Sequence, residues 1–400
     1  MRFALISNVL PPSETAHAAI IQRLLRDLDP ESYCLLSSRD YTSGDAPDYS
    51  ERLPGRYYYL PPPYQIQRGH RFGLKDLRER ANLVLGVLVR ARHIARILRR
   101  ERCDRVVVCT GGNEIFDFPG GYLAARMVGA RFYAYLLDQY SHMVKFVLGD
   151  TFLQRFEPLV MRGAHAVIVP NEFMQKEVEQ RYGVRAAIVR NTCDVSAYEG
   201  AEHAGSGEEG GGRVVYTGAV GPLQADALAN LLAAFDSLGR DGVRLHLYTP
   251  QPRSALEGQG VGGGRVVLHE HEPVSAMPEV QGHADVLMLP LAFRSPYPDI
   301  IRTAAPGKIG EYLSARRPIL VHAPADSFVS WYFRTYECGL VVDKDDPAEL
   351  ARALERLLTD SALRERLVAN AWGRARDDFD LPHARARFET LLGVGMRGGG

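Results

Sequence analysis

Short, almost wholly apolar runs punctuate this chain, and stretches with helical spacing fall between them. Phe3–Ile6, Tyr33–Ser37, Asp104–Cys109, Phe132–Leu137, Asp285–Leu291 and Ile319–Val321 are the clearest runs. A strand apolar on both faces has to be covered on both faces, and that is the habit of parallel sheets. His17–Leu28, Leu74–Arg102 and Leu123–Val128 have the helical spacing that crossovers need. Parallel strands joined by helical crossovers build a doubly wound α/β sheet. With 400 residues the chain exceeds one ordinary core, so two domains are expected. The sharpest compositional break is 199–212, rich in glycine and glutamate, which cannot form a core and reads as a linker or loop. Alternation resumes at Arg213 and runs to about Val368. The expected domains are therefore 1–198 and 213–375, with a helical segment at 376–400.

Composition removes several classes. Lys plus Arg number 48 and Asp plus Glu number 48, so no global charge points to nucleic acid. The cysteines (34, 103, 109, 193 and 338) are scattered without metal-type spacing, and several sit in apolar runs where a reduced, buried thiol is the default. The opening Met1–Ile6 reads as a strand and not as a signal peptide. No apolar run approaches the roughly 20 residues that span a bilayer. A cytoplasmic protein is expected.

The most informative stretch is Pro306-Gly307-Lys308-Ile309-Gly310-Glu311-Tyr312-Leu313-Ser314, ahead of Pro318. It follows the apolar run 285–291, so a short helix is expected to start at Pro306, at the carboxyl end of a parallel strand, where open α/β sheets bind ligands. Free amides at Ile309 and its neighbours, and the ammonium of Lys308, suit a phosphate. Glu311 shares the face of Lys308 and can accept from both hydroxyls of a ribose. The plain alternative is a Lys308–Glu311 surface pair, worth about 0.2–0.5 kcal/mol.

Taken with its neighbours, this stretch resembles the donor segment of retaining GT-B glycosyltransferases of family 4, many of which carry Pro-x-Lys-x-x-Glu-Tyr and then a proline-led strand. Ala164–Asn171, Tyr182-Gly183 and Arg190–Asp194 resemble the end of that family's first domain. Val214–Val220 resembles the first strand and glycine turn of its second, and Gly339–Val342 with Asp346–Leu350 its closing segment. The resemblance implies an α/β protein with the GT-B fold: two Rossmann-like, doubly wound domains facing a central cleft. The first would bind the acceptor and the second the nucleotide sugar, while the last helix would cross back to the first domain. It implies Gly218, Ala219, Lys308, Ile309, Glu311 and Arg302 as donor-binding residues, no metal, and no cofactor beyond the nucleotide sugar. Two departures stand out. Thr303 occupies the place of a glutamate that commonly pairs with the later one. Ala219 and Gln224 stand where an arginine and a lysine usually bind the diphosphate, which leaves Lys308 as the main cation, helped by Arg294 or Arg302.

Other positions have two readings each. Gly218-Ala219-Val220-Gly221-Pro222 is a phosphate cradle or a steric turn. In the loop Asn8–His17, Glu14 and His17 are acceptor-binding or base candidates or else ordinary loop residues with no such role, and Ser13 either contacts the acceptor or caps a helix. Asp138 ends a strand, with His142 one helical turn on; the pair is a catalytic candidate, or Asp138 is an N-cap. Thr110–Glu114, with Asn113, contacts the acceptor or only turns. The segment 68–105 is strongly basic. Arg90, Arg92, Arg96, Arg99 and Arg100 are expected on one positive face, either against an anionic membrane or simply solvated.

The expected function is transfer of a sugar, UDP-linked being the favoured donor, to a hydroxyl acceptor of undetermined identity in glycan, glycolipid or natural-product biosynthesis, with retention. A GT-B nucleotide-sugar epimerase and an inactive nucleotide-sugar-binding protein are the alternatives.

Overall fold

The computed structural model describes residues 1–13, 15–42, 52–62, 75–111, 114–141, 144, 152–200, 211–270 and 272–393. They divide into two compact units: Met1–Arg190 together with the chain from Ala384, and Asn191–His383. The structural division precedes the glycine- and glutamate-rich stretch, of which 201–210 lie outside the described residues. Residues 191–198 belong to the second unit for a local reason. Asn191 Nδ2 donates to Ala305 O at 2.8 Å, Cys193 Sγ lies 3.3 Å from Ser314 Oγ, and Tyr198 Oη donates to Gln281 Oε1 at 3.0 Å.

The first unit contains β1 (Phe3–Ile6), β2 (Tyr33–Ser37), β3 (Arg56–Tyr59), β4 (Arg105–Thr110), β5 (Arg131–Leu136), β6 (Ala166–Val169) and β7 (Ala186–Ile188). They form one parallel sheet in the order β3-β2-β1-β4-β5-β6-β7. The second unit contains β8 (Gly211–Thr217), β9 (Gly242–Tyr248), β10 (Val266–His269), β11 (Val286–Pro290), β12 (Ile319–His322) and β13 (Leu340–Val342), parallel in the order β10-β9-β8-β11-β12-β13. Each sheet starts in its middle, runs to one edge, returns, and runs to the other. That is the doubly wound Rossmann-like pattern.

Helices cover both faces. In the first unit, Val87, Ile94 and Leu98 of the helix Lys75–Glu101 pack with Phe118 and Ala125 of the helix Asp117–Val128 on one face. The other face is covered by Ile20, Ile21 and Leu24 of the helix Ala16–Leu25 and by Ala384, Phe388 and Leu392 of the helix Leu381–Leu392. The Phe388 ring centre lies 6.4 Å from that of Phe3 and 6.1 Å from that of Tyr135. In the second unit, Leu228, Leu231 and Phe235 pack with Leu350, Leu354 and Leu357 on one face of the sheet. Local chemistry sets the helix ends. Asn171 accepts from Met174 N at 2.9 Å to open the helix Glu172–Tyr182, and Gly183 closes it at φ 66°.

Three expectations change. Thr15, not Ser13, caps the first helix, accepting from Ala18 N at 3.3 Å. Arg90 is not on the positive face: it is buried and paired with buried Asp117 at 3.1 Å. Its stem passes over Gly120, where a Cβ would lie 2.8 Å from Arg90 Cγ. Arg92, Arg96, Arg99 and Arg100 are exposed. The donor-segment helix runs Lys308–Ser314 and starts two residues after Pro306. Among the described residues no helix is long and apolar enough to cross a membrane, and all five cysteines are free and buried.

Candidate functional site

The second sheet reverses its strand order between β8 and β11, where a doubly wound sheet leaves a crevice at its carboxyl edge. β8 leads through Thr217 into a turn at Gly218, whose φ of 110° favours glycine. Lys308 reaches the same spot from beyond β11. Its ammonium donates to Thr217 O at 2.6 Å and lies 3.7 Å from the centre of the Tyr216 ring. A Cβ at Gly218 would lie 3.2 Å from Lys308 Nζ, so a side chain there would crowd the cation. Burial pushes the Lys308 pKa down to about 7, while Glu311 draws it upward. An ammonium has three donors, and an anion at the turn would serve those not aimed at Thr217.

Two tyrosines fix this geometry. Tyr312 Oη accepts from Thr217 N at 3.1 Å, and Tyr216 Oη donates to Ala219 O at 2.7 Å. The turn's amides are mostly engaged: Gly218 N donates to Tyr248 O at 2.8 Å, Val220 N to Gln251 Oε1 at 2.6 Å, and Gly221 N to Gln224 Oε1 at 3.2 Å. Positive charge at the turn therefore comes from Lys308. Ile309 is 1% exposed, and its amide donates to Pro306 O at 3.1 Å.

Glu311 lies one turn along, half-buried, and accepts from Gln281 Nε2 at 3.4 Å. Gln281 is itself fully buried and accepts from Tyr198. Glu311 thus holds Gln281 while Lys308 holds Thr217, and the two charges still attract each other. Thr303, in the short helix Pro298–Thr303, is buried and returns its hydroxyl to Asp299 O at 3.1 Å; Arg302 on the same helix is half-buried. Arg294 does not supply spare charge, because it faces Asp345 at 3.3 Å and Asp226 at 3.8 Å.

The first sheet reverses between β1 and β4. Buried Glu114 ties the two loops there, accepting from Asn8 N at 2.9 Å and from Gly111 N at 3.3 Å. His17 Nε2 lies 3.9 Å from Asp138 Oδ2, beside Gly111 at φ 155°, where a Cβ would lie 2.7 Å from the same nitrogen. Burial holds His17 down at about 4 and pushes Asp138 up to about 7. Ser13 Oγ is 2.8 Å from Tyr41 Oη. Glu14, Asn113 and His142 lie outside the described residues.

The fold thus brings together Gly218, Ala219 and Lys308, with Glu311 close by, in one unit, and His17 with Asp138 in the other. Sequence reasoning missed Tyr216, Gln281, Tyr198 and Glu114 as supports. Tyr312 had a signal as the residue after Glu311 in the motif, and Tyr216 and Glu114 lay within stretches singled out for other reasons. Among the described residues no group of three or more His, Cys, Asp or Glu is arranged to hold a metal ion.

Residues 211–360 match the family model described as glycosyl transferases group 1. No curated protein sequence matches the chain. Among solved structures it is similar to Anabaena HepE in complex with UDP and glucose, at 14% identity and TM-score 0.68, covering 99% of this chain and 100% of that one. It is also similar to sucrose-phosphate synthase from Thermosynechococcus elongatus, at 14% identity and TM-score 0.66, covering 98% of each chain. A UDP-forming α,α-trehalose-phosphate synthase from Burkholderia xenovorans, in complex with glucose-6-phosphate, gives 14% identity and TM-score 0.67 over 98% of this chain and 100% of that one. The chain shares the two-unit, Rossmann-like fold of these structures, and its second unit carries the segment that matches the group 1 glycosyl transferase model.

Proposed function

We propose that the protein moves a sugar from a nucleoside diphosphate, UDP being the favoured carrier, to a hydroxyl acceptor. The observation that carries this reading is the Lys308 ammonium held on the Gly218 turn at the switch point of the second sheet. A diphosphate seated there meets a full positive charge, and Glu311 accepts from the ribose hydroxyls. Arg302 is the further cation of the segment. Binding of UDP and UDP-glucose by HepE, and the UDP-forming description of the trehalose-phosphate synthase, support UDP as the carrier.

In the proposed reaction the bond from the anomeric carbon to the diphosphate oxygen breaks and a bond to the acceptor oxygen forms. Lys308 stabilises the charge that develops on the leaving diphosphate. Transfer occurs with retention and without a metal. The acceptor proton passes to the departing diphosphate oxygen on the same face, so no dedicated protein base is needed. Ser13, His17 and Asp138 line the acceptor side in the first unit, and the Asp138 carboxyl orients the acceptor hydroxyl. The exposed Arg92, Arg96 and Arg99 suit an acceptor carried on an anionic membrane.

Thermal-shift titration with UDP, GDP and ADP tests the donor assignment. A ligand at a hundred times its dissociation constant adds about 2.7 kcal/mol of stability. No shift with any nucleoside diphosphate refutes the reading. Product analysis with labelled UDP-sugars then separates transfer from epimerisation and from binding alone.

A further inference from the structure

Two neighbouring helices of the first unit share an apolar groove flanked by arginines. In the helix Lys75–Glu101, Val87, Ile94 and Leu98 face the core and Arg90 is buried against Asp117. Val84, Leu88, Arg92, Arg96 and Arg99 recur at three- and four-residue intervals, so they form one outward stripe, apolar at one end and basic at the other. Leu88, Ala91 and Arg92 meet Leu123, Arg126 and Met127 of the helix Asp117–Val128 around a groove of about 330 Å³.

The apolar exposure is concentrated here. Seven large apolar side chains are exposed among the described residues, and four of them, Val84, Leu88, Val89 and Met127, belong to this pair of helices. Apolar area left in water is unfavourable, and a cluster of it marks a surface that something covers.

The charges beside the groove have one sign. From Arg80 to Arg100 the longer helix contains no Asp or Glu, and Asp117, the only acid of its neighbour, is buried with Arg90. Arg92, Arg96 and Arg126 are exposed, and among the described residues no acidic side chain pairs with them. Arg99 is exposed as well and donates to Met127 O at 3.4 Å. A second copy packed on the same face about a twofold axis would set arginine against arginine. An anionic bilayer suits both features together: apolar side chains enter the boundary between headgroups and acyl chains, and arginines stay among the phosphates.

We propose that the outer face of these two helices docks on an anionic phospholipid bilayer, with Leu88 and Met127 inserted and Arg92, Arg96 and Arg126 on the headgroups. The inference rests on the reading of the first unit as the side of a membrane-carried acceptor, and it adds the apolar side chains that enter the lipid. The donor site at Lys308 takes no part in the docking.

Flotation with phosphatidylglycerol vesicles and with phosphatidylcholine vesicles, at low and at physiological salt, tests it. The wild type is compared with Arg92→Gln/Arg96→Gln/Arg126→Gln, with Arg92→Lys/Arg96→Lys/Arg126→Lys and with Leu88→Gln/Met127→Gln. Retention is expected on phosphatidylglycerol alone. It should fall at least tenfold with the glutamines and survive with the lysines, because a bilayer responds to charge and not to paired donors. The Leu88→Gln/Met127→Gln protein should lose the retention that resists salt. All five native cysteines are buried, so an environment-sensitive fluorophore on Leu88→Cys reports this position, and its emission should shift to the blue on phosphatidylglycerol. That measurement stands even where a multiple variant fails to fold.

Equal retention on both lipids, retention unchanged by the glutamines, an unshifted fluorophore, or no retention of the wild type overturns the proposal. Self-association of the wild type that Leu88→Gln/Met127→Gln abolishes, without vesicle retention, also overturns it and assigns the face to a second copy. Calorimetric UDP titration of the wild type separates the two readings. UDP binding without vesicle retention defeats only the docking, and vesicle retention without UDP binding defeats only the donor assignment.

Discussion

Replacing Lys308 by methionine keeps the aliphatic stem and removes the charge, and stability and binding should respond in opposite directions. An ordinary lysine holds its proton to about pH 10.4. Lys308 loses its proton near 7 because it is desolvated. Between those values the unfolded chain binds more protons than the folded one, so the contribution of Lys308 to stability rises with pH across that window. Below 7 the full cost of holding the cation is present. At pH 6, Lys308→Met should therefore melt no lower than the wild type. Binding runs the other way. A hydrogen bond to a charged group is worth about 1.5–3 kcal/mol, so UDP affinity should fall roughly ten- to hundredfold. The terminal phosphate of UDP is ionised above about pH 6. The affinity of the wild type should accordingly decline as pH climbs above 7 and Lys308 loses its proton, while that of the variant stays flat. Calorimetric UDP titrations between pH 7 and 9, alongside melting curves, read both effects. Equal UDP affinity for the two proteins, or the same pH slope, would refute the role of Lys308.

Glu311→Gln should raise the donor KM with melting intact, since an amide accepts through only one of its terminal atoms; unchanged donor saturation removes Glu311 from the ribose. Gln281→Leu, which fills the same buried space but removes the hydrogen bond to Glu311, should raise donor KM in the same direction, and a loss of stability alone would reduce Gln281 to a packing residue. Asp138 keeps its proton to about 7 in the folded chain and loses it near 4 when unfolded, so its contribution to stability falls as pH rises between these values. Asp138→Asn should therefore raise the melting temperature at pH 8 and leave it unchanged at pH 4, and equal shifts at both would show that the carboxyl is not held protonated. Arg90→Ala strands the buried Asp117 carboxylate and should cost about 3–5 kcal/mol in urea unfolding; a variant as stable as the wild type contradicts the buried pair.

Both halves of the parallel architecture were legible because an all-apolar strand has few alternatives. Val106–Cys109 and Val286–Leu289 are fully buried, as their composition demands. Lys308 and the Gly218 turn were legible separately, each from local chemistry. Their meeting depends on β8 and β11 being neighbours in the sheet, which local chemistry does not reveal and only the family resemblance implied. Arg90 shows where charge counting misleads. It shares a helical stripe with Val87, Ala91 and Ile94, so its position on the helix decides its burial and its charge does not. Gln281 and Tyr198 left no trace in the sequence, because supports of this kind are ordinary polar residues whose role exists only once distant segments pack. The helix at Lys308 starts late because a proline and a glycine precede it and no side chain caps it.

The final helix has a consequence for the order in which the molecule can be made. Phe3 leaves the ribosome long before Phe388, yet their rings pack against each other, and Arg385 Nε donates to Arg23 O at 2.6 Å. Until residues 384–392 emerge, Phe3 and Tyr135 on the outer face of the first sheet lack their aromatic cover. The second unit is contiguous in sequence from Asn191 to His383 and can close on its own during synthesis. The first unit is thus begun before the second and completed after it, and during elongation its unfinished face stays uncovered while the second unit is made.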